Sequence, residues 1–220
     1  MFVGHFALGF AAKRAAPQLS LAVLFLAAQL ADVLWPVFLA AGLETVRIAP
    51  GITAVTPLDF VSYPYSHSLA ALAIWGAALG VLCRWLFGGR TTFLIVAGLV
   101  ISHWILDVVV HRPDMPIYPG SAKFGLSMWN SVPATVIVEL AAFSAGVLVY
   151  AKATRPRDGV GRWSLVALVL FLLIAYGANL AGGTPPSVAM IYATAMAGSV
   201  VILIWSWWAD RHRSIAQSRG

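Results

Sequence analysis

The chain is poor in charged residues and contains a single cysteine, Cys83. Only 10% of its 220 residues are Asp, Glu, Lys or Arg, whereas 60% are hydrophobic. A soluble domain is usually about 45–50% apolar and about 25% charged, so this composition excludes a water-soluble fold of this size. One cysteine excludes an internal disulfide and a zinc site built from cysteines. The first residues also lack the leading basic segment of a signal peptide, because Lys13 and Arg14 follow the apolar stretch.

The net charge of +6 would suggest nucleic acid as a partner if the protein were soluble. Here the basic residues flank apolar segments, where they act as topology signals instead. We therefore expect membrane lipid as the partner and no nucleic acid.

Six apolar segments are long enough to cross about 30 Å of hydrocarbon as helices. They are residues 18–43, 66–87, 91–111, 131–152, 162–181 and 186–209. This pattern predicts an all-α polytopic membrane bundle of about six transmembrane helices. We expect a single integral membrane domain over 1–220, with a metal-site part at about 1–140 and accessory helices at about 162–209. Residues 1–12 are too few to cross, which predicts a half-depth helix inside the bundle or an interfacial helix.

Basic residues accumulate on alternate loops. They are Lys13, Arg14, Arg84, Arg90, Lys152, Arg155, Arg157, Arg162, Arg211, Arg213 and Arg219, whereas the other loops hold Arg47, Arg112 and Lys123. By the positive-inside rule the first set is cytoplasmic, including both flanks of the chain. The long, turn-rich loops 44–65 and 112–130 then lie on the other side, where we expect a lid or mouth.

Ionisable side chains are costly in hydrocarbon, so each one inside a predicted span requires a reason. They are His5, Asp32, His67, His103, Asp107, His111 and Glu139. No Lys or Arg lies deep in the same segments. These carboxylates and imidazoles therefore lack a counter-charge, which a divalent metal ion or protons would supply.

Four of these residues fall at one depth in the membrane. At about 1.5 Å per residue from the basic ends, Asp32 lies roughly 21 Å up, His103 roughly 18 Å, Asp107 roughly 24 Å and Glu139 roughly 20 Å. His67 lies roughly 25–30 Å up by the same count, near the opposite boundary. Its helix would have to start deeper, or His67 would close the site from above.

His103, Asp107 and His111 are spaced four residues apart and share one helical face. Imidazole nitrogen with carboxylate oxygen favours zinc, with manganese and iron as alternatives, over copper(I). A lone membrane histidine such as His5 or His111 is also consistent with ordinary hydrogen bonding between helices.

The order of motifs resembles a known family. It runs Gly4-His5, Asp32, Ser66-His67-Ser68 and Ser102-His103-Trp104-Ile105-Leu106-Asp107. This pattern is similar to the bacterial membrane-bound metal-dependent hydrolases, which are small inner-membrane proteins. The resemblance covers residues 1–140 and implies an inner-membrane location.

The ligand order also resembles that of zinc-dependent phospholipase C and related nucleases. By that likeness Asp32, His67, His103 and Asp107 would form the main metal site. His5 and the chain's N-terminus would share Asp107 with a second ion, and His111 with Glu139 would hold a third. The chain departs from the pattern, because Thr135 stands where the final histidine before Glu139 would be. We therefore expect one or two ions.

The resulting hypothesis is a metal-dependent hydrolase of a phosphoester in a lipid or lipid-linked substrate, open to the non-cytoplasmic side. Asp32 or Glu139 would serve as general base. Two alternatives stay open at this point. One is a proton- or ion-coupled transporter, and the other is a non-catalytic membrane protein in which the cluster is a structural staple.

Overall fold

The computed structural model describes residues 1–216 as an almost entirely helical bundle. Its helices are α1 (Val3–Ala12), α2 (Leu21–Ala28), α3 (Leu30–Ala40), α4 (Pro64–His67), α5 (Leu69–Phe87), α6 (Arg90–Val110), α7 (Val132–Ala153), α8 (Gly159–Ala181) and α9 (Val188–Arg211). Helices α5 to α9 are each long and apolar enough to cross a membrane, and the bent pair of α2 and α3 gives a sixth span if the two are counted together. The predicted all-α membrane bundle is therefore confirmed.

The first predicted span, residues 18–43, is not one straight helix. It breaks at Gln29 into α2 and α3, which are bent by 61°. Gln29 leaves the helical region with φ −109° and ψ 10°. The sequence could not reveal this bend, because the segment is apolar on all faces and a periodic pattern does not register a change of axis.

The short helix α1 lies inside the bundle and not on its surface. His5, Phe6 and Phe10 are buried. Helix α7 approaches α1 so closely that a Cβ atom at Gly146 would lie 2.3 Å from the Ala7 carbonyl oxygen. A glycine is therefore required at this crossing, and the prediction that residues 1–12 include a short helix packed inside the bundle is confirmed.

We call one end of the bundle the loop end; it comprises residues 41–68, 111–131 and 182–187. Its first loop holds a hairpin of β1 (Thr45–Ile48) and β2 (Leu58–Ser62), and its second holds β3 (Met115–Pro116) paired with β4 (Lys123–Phe124). The Ala54 amide donates to the Trp129 carbonyl at 3.0 Å, which joins the two loops. Under them Trp35, Tyr63 and Met115 form a small core.

The opposite end, called the tail end, comprises residues 13–20, 88–89, 154–158 and 212–216. Here β5 (Thr154–Pro156) pairs with β6 (Arg213–Ile215). The basic residues predicted to be cytoplasmic lie at this end or in the helix turns that adjoin it. The exception is Arg219, which lies outside the described residues.

Candidate metal centre

Asp32 on α3, His67 on α4, and His103 and Asp107 on α6 meet in the loop-end half of the bundle. His103 Nε2 lies 3.1 Å from Asp107 Oδ2 and 3.7 Å from Asp32 Oδ1. His67 Nε2 lies 3.4 Å from Asp32 Oδ1 and 3.9 Å from Asp107 Oδ2. The histidines and Asp107 are buried, whereas the Asp32 side chain is 40% exposed. Four side chains from three separate helices therefore face one point.

His103 has its ring fixed by the break between α2 and α3. Its Nδ1 lies 2.8 Å from the carbonyl oxygen of Ala28, the last residue of α2. Helix ends leave carbonyls without partners inside the helix, and a carbonyl only accepts, so Nδ1 carries the proton. In the neutral imidazole Nε2 then presents a lone pair to Asp107 Oδ2, an arrangement that repels unless a cation or a proton lies between them.

His67 is fixed in the same tautomer by a relay of two residues. The Ser66 hydroxyl donates to Glu44 Oε2 at 2.7 Å, so its oxygen accepts from His67 Nδ1, also at 2.7 Å. Glu44 is itself held by the backbone amides of Tyr65 and Ser66, each donating to Oε1 at 2.8 Å. The Nε2 lone pair of His67 is thereby directed at the two aspartates.

His111 directly follows α6 and lies at the edge of the cluster, where its Nδ1 atom is also bound to an acceptor. Its Nδ1 donates to Asp114 Oδ1 at 2.9 Å, and Tyr63 donates to the same oxygen at 2.8 Å. Burial and then the nearby Asp114 carboxylate raise the pKa of the Tyr63 hydroxyl well above its usual value, so Tyr63 stays a donor. His111 Nε2 is left 4.0 Å from Asp107 Oδ2.

The other two predicted ligands lie on the α1 side. His5 Nε2 is 3.0 Å from Asp107 Oδ1, and its ring stacks on that of His103 with centroids 3.7 Å apart. The Met1 amino group also contacts Asp107 Oδ1. Glu139 is used differently, because its Oε2 accepts from the backbone amides of Phe2 at 2.8 Å and Gly4 at 3.1 Å. It anchors the start of α1 beside the cluster.

Two groups of three residues are compact enough to hold an ion. They are Asp32–His67–His103 and His5–His103–Asp107, in each of which the ligand atoms lie within 4.8 Å of one another. Tetrahedral zinc at about 2.0–2.2 Å from its ligands needs ligand atoms about 3.3–3.6 Å apart. The measured nitrogen–oxygen spacings of 3.1 to 3.9 Å bracket that value. These buried His and Asp side chains could therefore hold a divalent metal ion.

A cavity of about 700 Å³ opens beside the cluster. Asp32, His67, Asp107, His111 and Glu139 form its polar wall. Phe60 and Trp129, which belong to the two loops at the loop end, also line it. A molecule in this cavity would therefore reach the ligand atoms directly.

The residues that orient the histidines were not predicted from the sequence. They are Glu44, Ser66, Asp114 and the Ala28 carbonyl. Asp114 lies three residues after His111, and Ser66 directly precedes His67, so their proximity is a signal that could have been read. Glu44 and Ala28 are distant in sequence from their histidines and gave no such signal. Thr135, the residue in place of a histidine, lies in the first turn of α7, where its hydroxyl donates to the Ser131 carbonyl at 3.0 Å.

Ligating histidines in proteins usually donate their other ring nitrogen to a carboxylate, a carbonyl or a neighbouring side chain, and three histidines here do so. Comparison of the chain with protein-family models, with curated proteins and with solved structures finds no match. The geometry of the site is therefore the basis for inferring the function of this multi-pass helical protein.

Proposed function

We propose that the protein is a membrane-embedded, metal-dependent hydrolase that cleaves a phosphoester in a lipid or lipid-linked substrate. Zinc is the expected metal, with manganese or iron as alternatives, and one or two ions are expected. Asp32, His67, His103 and Asp107 would hold the first ion. Asp107 Oδ1 and His5 would contribute to a second, with His111 and Glu139 at its periphery.

One observation carries this proposal: three imidazoles converge with their Nε2 lone pairs free. His67, His103 and His111 each have Nδ1 bound to an acceptor, which fixes the metal-binding tautomer. In neutral imidazoles these tautomers place Nε2 lone pairs opposite carboxylate oxygens, a conflict that a proton or a cation between them would resolve. A bound cation resolves that conflict and also offsets the charge of two buried carboxylates.

The chemistry divides between the ion and the chain. A divalent ion supplies Lewis-acid polarisation of a phosphoryl oxygen and lowers the pKa of water. Asp32 is the partly exposed carboxylate on the cavity side, where it could accept a proton from the attacking water. Glu139 keeps the alternative role as base, although its contacts with α1 favour a positioning role. Burial of the other ligands excludes bulk water from the reacting centre.

Charge supports one orientation in the membrane. The tail end and the helix turns that adjoin it carry most of the basic residues, which favours a cytoplasmic position for this end by the positive-inside rule. The loop end and the mouth of the cavity would then face the non-cytoplasmic side. The resemblance to bacterial membrane-bound hydrolases supports the inner membrane as the location.

The test is metal analysis of detergent-purified protein by elemental mass spectrometry. Wild type should retain about one or two zinc or manganese ions per chain, and His103→Ala should retain none, because it removes the ligand shared by both compact groups. His212→Ala is the matched control, since His212 pairs with Asp158 at the tail end at 2.8 Å. Metal content unchanged in His103→Ala would overturn the assignment.

A panel of phosphoesters then separates the three functions. Metal-dependent turnover by the wild type, lost in Asp32→Asn, supports hydrolysis. Metal-free protein that drives pH-dependent uptake in proteoliposomes supports a transporter instead. Unfolding on chelation without turnover of any phosphoester supports a structural staple.

A further inference from the structure

Helices α8 and α9 contact each other toward the tail end and both line the cavity toward the loop end. Toward the tail end the Trp205 indole donates to the Ser164 carbonyl at 3.2 Å, and the Trp205 and Phe171 rings lie 5.5 Å apart. Toward the loop end the two helices instead line the cavity, with small side chains such as Ala175 and Ala195. Small residues leave open the space that larger ones would fill, so the cavity extends along these halves of α8 and α9.

One stripe of α9 forms the wall of this part of the cavity. It consists of Met190 and Ile191, Thr194 and Ala195, Gly198 and Ser199, and Ile202 and Leu203. These pairs recur every four residues, which is the repeat of a single helical face. From Met190 to Leu203 the stripe extends about 20 Å, more than the roughly 15 Å of half a bilayer's hydrocarbon. This part of the cavity, which we call the slot, is therefore long enough to hold an acyl chain and ends near Phe171 and Ile202.

The slot is continuous with the metal centre, and an unpaired hydroxyl lies at their junction. Tyr176 on α8 is 3% exposed, lines the cavity and stacks on Phe2 with centroids 5.9 Å apart. Within residues 1–216 its hydroxyl has no hydrogen-bond partner, and neither does the buried Gln29 Oε1 on the same cavity wall. Buried polar atoms are normally paired, so a ligand oxygen at this depth would accept from the Tyr176 hydroxyl, whereas Gln29 Oε1 is an acceptor and would need a donor such as water.

We propose that the slot binds one hydrocarbon chain of a membrane phospholipid whose phosphate reaches the metal centre. The linkage between head group and chain would accept from the Tyr176 hydroxyl. This inference rests on the proposed function, and it names the substrate as a lipid with a long apolar chain. It also assigns a lipid-binding role to α8 and α9, on which none of the predicted metal ligands lies.

Two glycines allow a matched test. A Cβ atom added at Gly198 or at Gly177 meets no heavy atom within 4 Å, so a larger side chain fits at either position. Gly198 lines the slot, whereas Gly177 is exposed and lies outside the cavity lining. Gly198→Leu therefore fills the slot, and Gly177→Leu makes the same substitution on the outer surface.

The probe is phosphatidic acid with a photoreactive diazirine near the end of one acyl chain, in nanodiscs with the purified full chain. Cross-links should concentrate on slot residues such as Phe171 and Ile202 in the wild type and in Gly177→Leu. In Gly198→Leu the yield of cross-links to slot residues should fall by about tenfold, because the leucine side chain would displace roughly two methylene groups of the lipid chain from the slot. Labelling confined to outward-facing residues such as Ile174 and Ile204, or equal slot labelling in both variants, would overturn the proposal.

Metal analysis of the same samples separates this inference from the proposed function. Gly198→Leu should keep the wild-type metal content, because Gly198 is not among the candidate ligands. Metal retained without slot labelling refutes the slot alone. Slot labelling in metal-free protein supports a lipid-binding slot and refutes the hydrolase.

Discussion

Two buried carboxylate clusters lie at opposite ends of this bundle and differ in how they are satisfied. At the tail end Asp210 Oδ2 accepts from Lys13 Nζ at 2.7 Å and from the Leu21 amide at 3.1 Å, and Oδ1 accepts from Tyr150 at 2.6 Å. At the loop end Asp107 Oδ2 faces the Nε2 atoms of three histidines instead. The first cluster pairs its carboxylate with a lysine, whereas in the second the Met1 amino group contacts only Asp107 Oδ1 and Oδ2 faces imidazole nitrogens.

This difference separates a structural role from a binding role. The Lys13–Asp210 pair joins the α1–α2 connection to α9 and to α7 through Tyr150, and each of its oxygens has a donor. At the loop end the histidine-facing oxygen of Asp107 has no lysine or arginine beside it, so this side of the cluster is suited to bind a metal ion. Breaking each cluster in turn should therefore give different signatures.

The largest effect is expected from Lys13→Met. It leaves Asp210, which is 9% exposed, without its cation and should cost about 3–5 kcal/mol of unfolding free energy. The measurement is denaturant unfolding in detergent, with metal content as a second readout. Lys152→Met, at an exposed position on α7, is the control and should change little. Equal stability of the two variants would contradict the structural role of the tail-end cluster.

Chelation should act on the loop-end cluster alone. A metal present at about 100 times its Kd stabilises the folded state by about 2.7 kcal/mol, which a chelator removes. The wild type and Lys13→Met should both lose this stability when EDTA is added, whereas His103→Ala should not respond. Thermal unfolding with and without EDTA measures the effect. A wild type that is insensitive to EDTA would argue against a bound metal.

A smaller effect is expected from the residues that orient the ligands. Ser66→Ala breaks the relay from Glu44 to His67 and should weaken zinc affinity by about 10–100-fold without abolishing it. Ser206→Ala is the matched control, since Ser206 is also fully buried but donates within α9, to the Leu203 carbonyl at 3.0 Å. Competition with a zinc indicator measures both. An unchanged affinity in Ser66→Ala would mean that the relay does not orient His67.

The smallest effect concerns a third carboxylate, which is exposed at the tail end. The hydrogen bond from His212 lowers the pKa of Asp158 below its usual 3.8. A carboxylate with a lowered folded pKa stabilises the protein above its unfolded pKa and loses this effect as pH falls below about 3.8. Comparing His212→Ala with wild type between pH 3 and pH 6 should show a small difference that disappears at the acidic end. A constant difference across this range would exclude the linkage.

The depth of several site residues could be predicted, because the rise of a helix is fixed. Counting about 1.5 Å per residue placed Asp32, His103 and Asp107 in one layer, and the structure brings them together. The same count placed His67 near the boundary, yet it lies 3.4 Å from Asp32. His67 belongs to the separate turn α4, before α5 begins at Leu69, so counting along one straight helix does not apply to it.

Composition alone determined that this chain is a multi-pass helical membrane protein, because the free energy of placing residues in lipid is close to a sum over the chain. The orientation of each imidazole was decided by the tertiary structure. It depends on acceptors supplied by the end of α2, by the residue before β1 and by the turn after α6. The contacts made by Ala28 and Glu44 link segments that are distant in sequence. They leave no periodic pattern in the sequence, since they form only when the helices pack together.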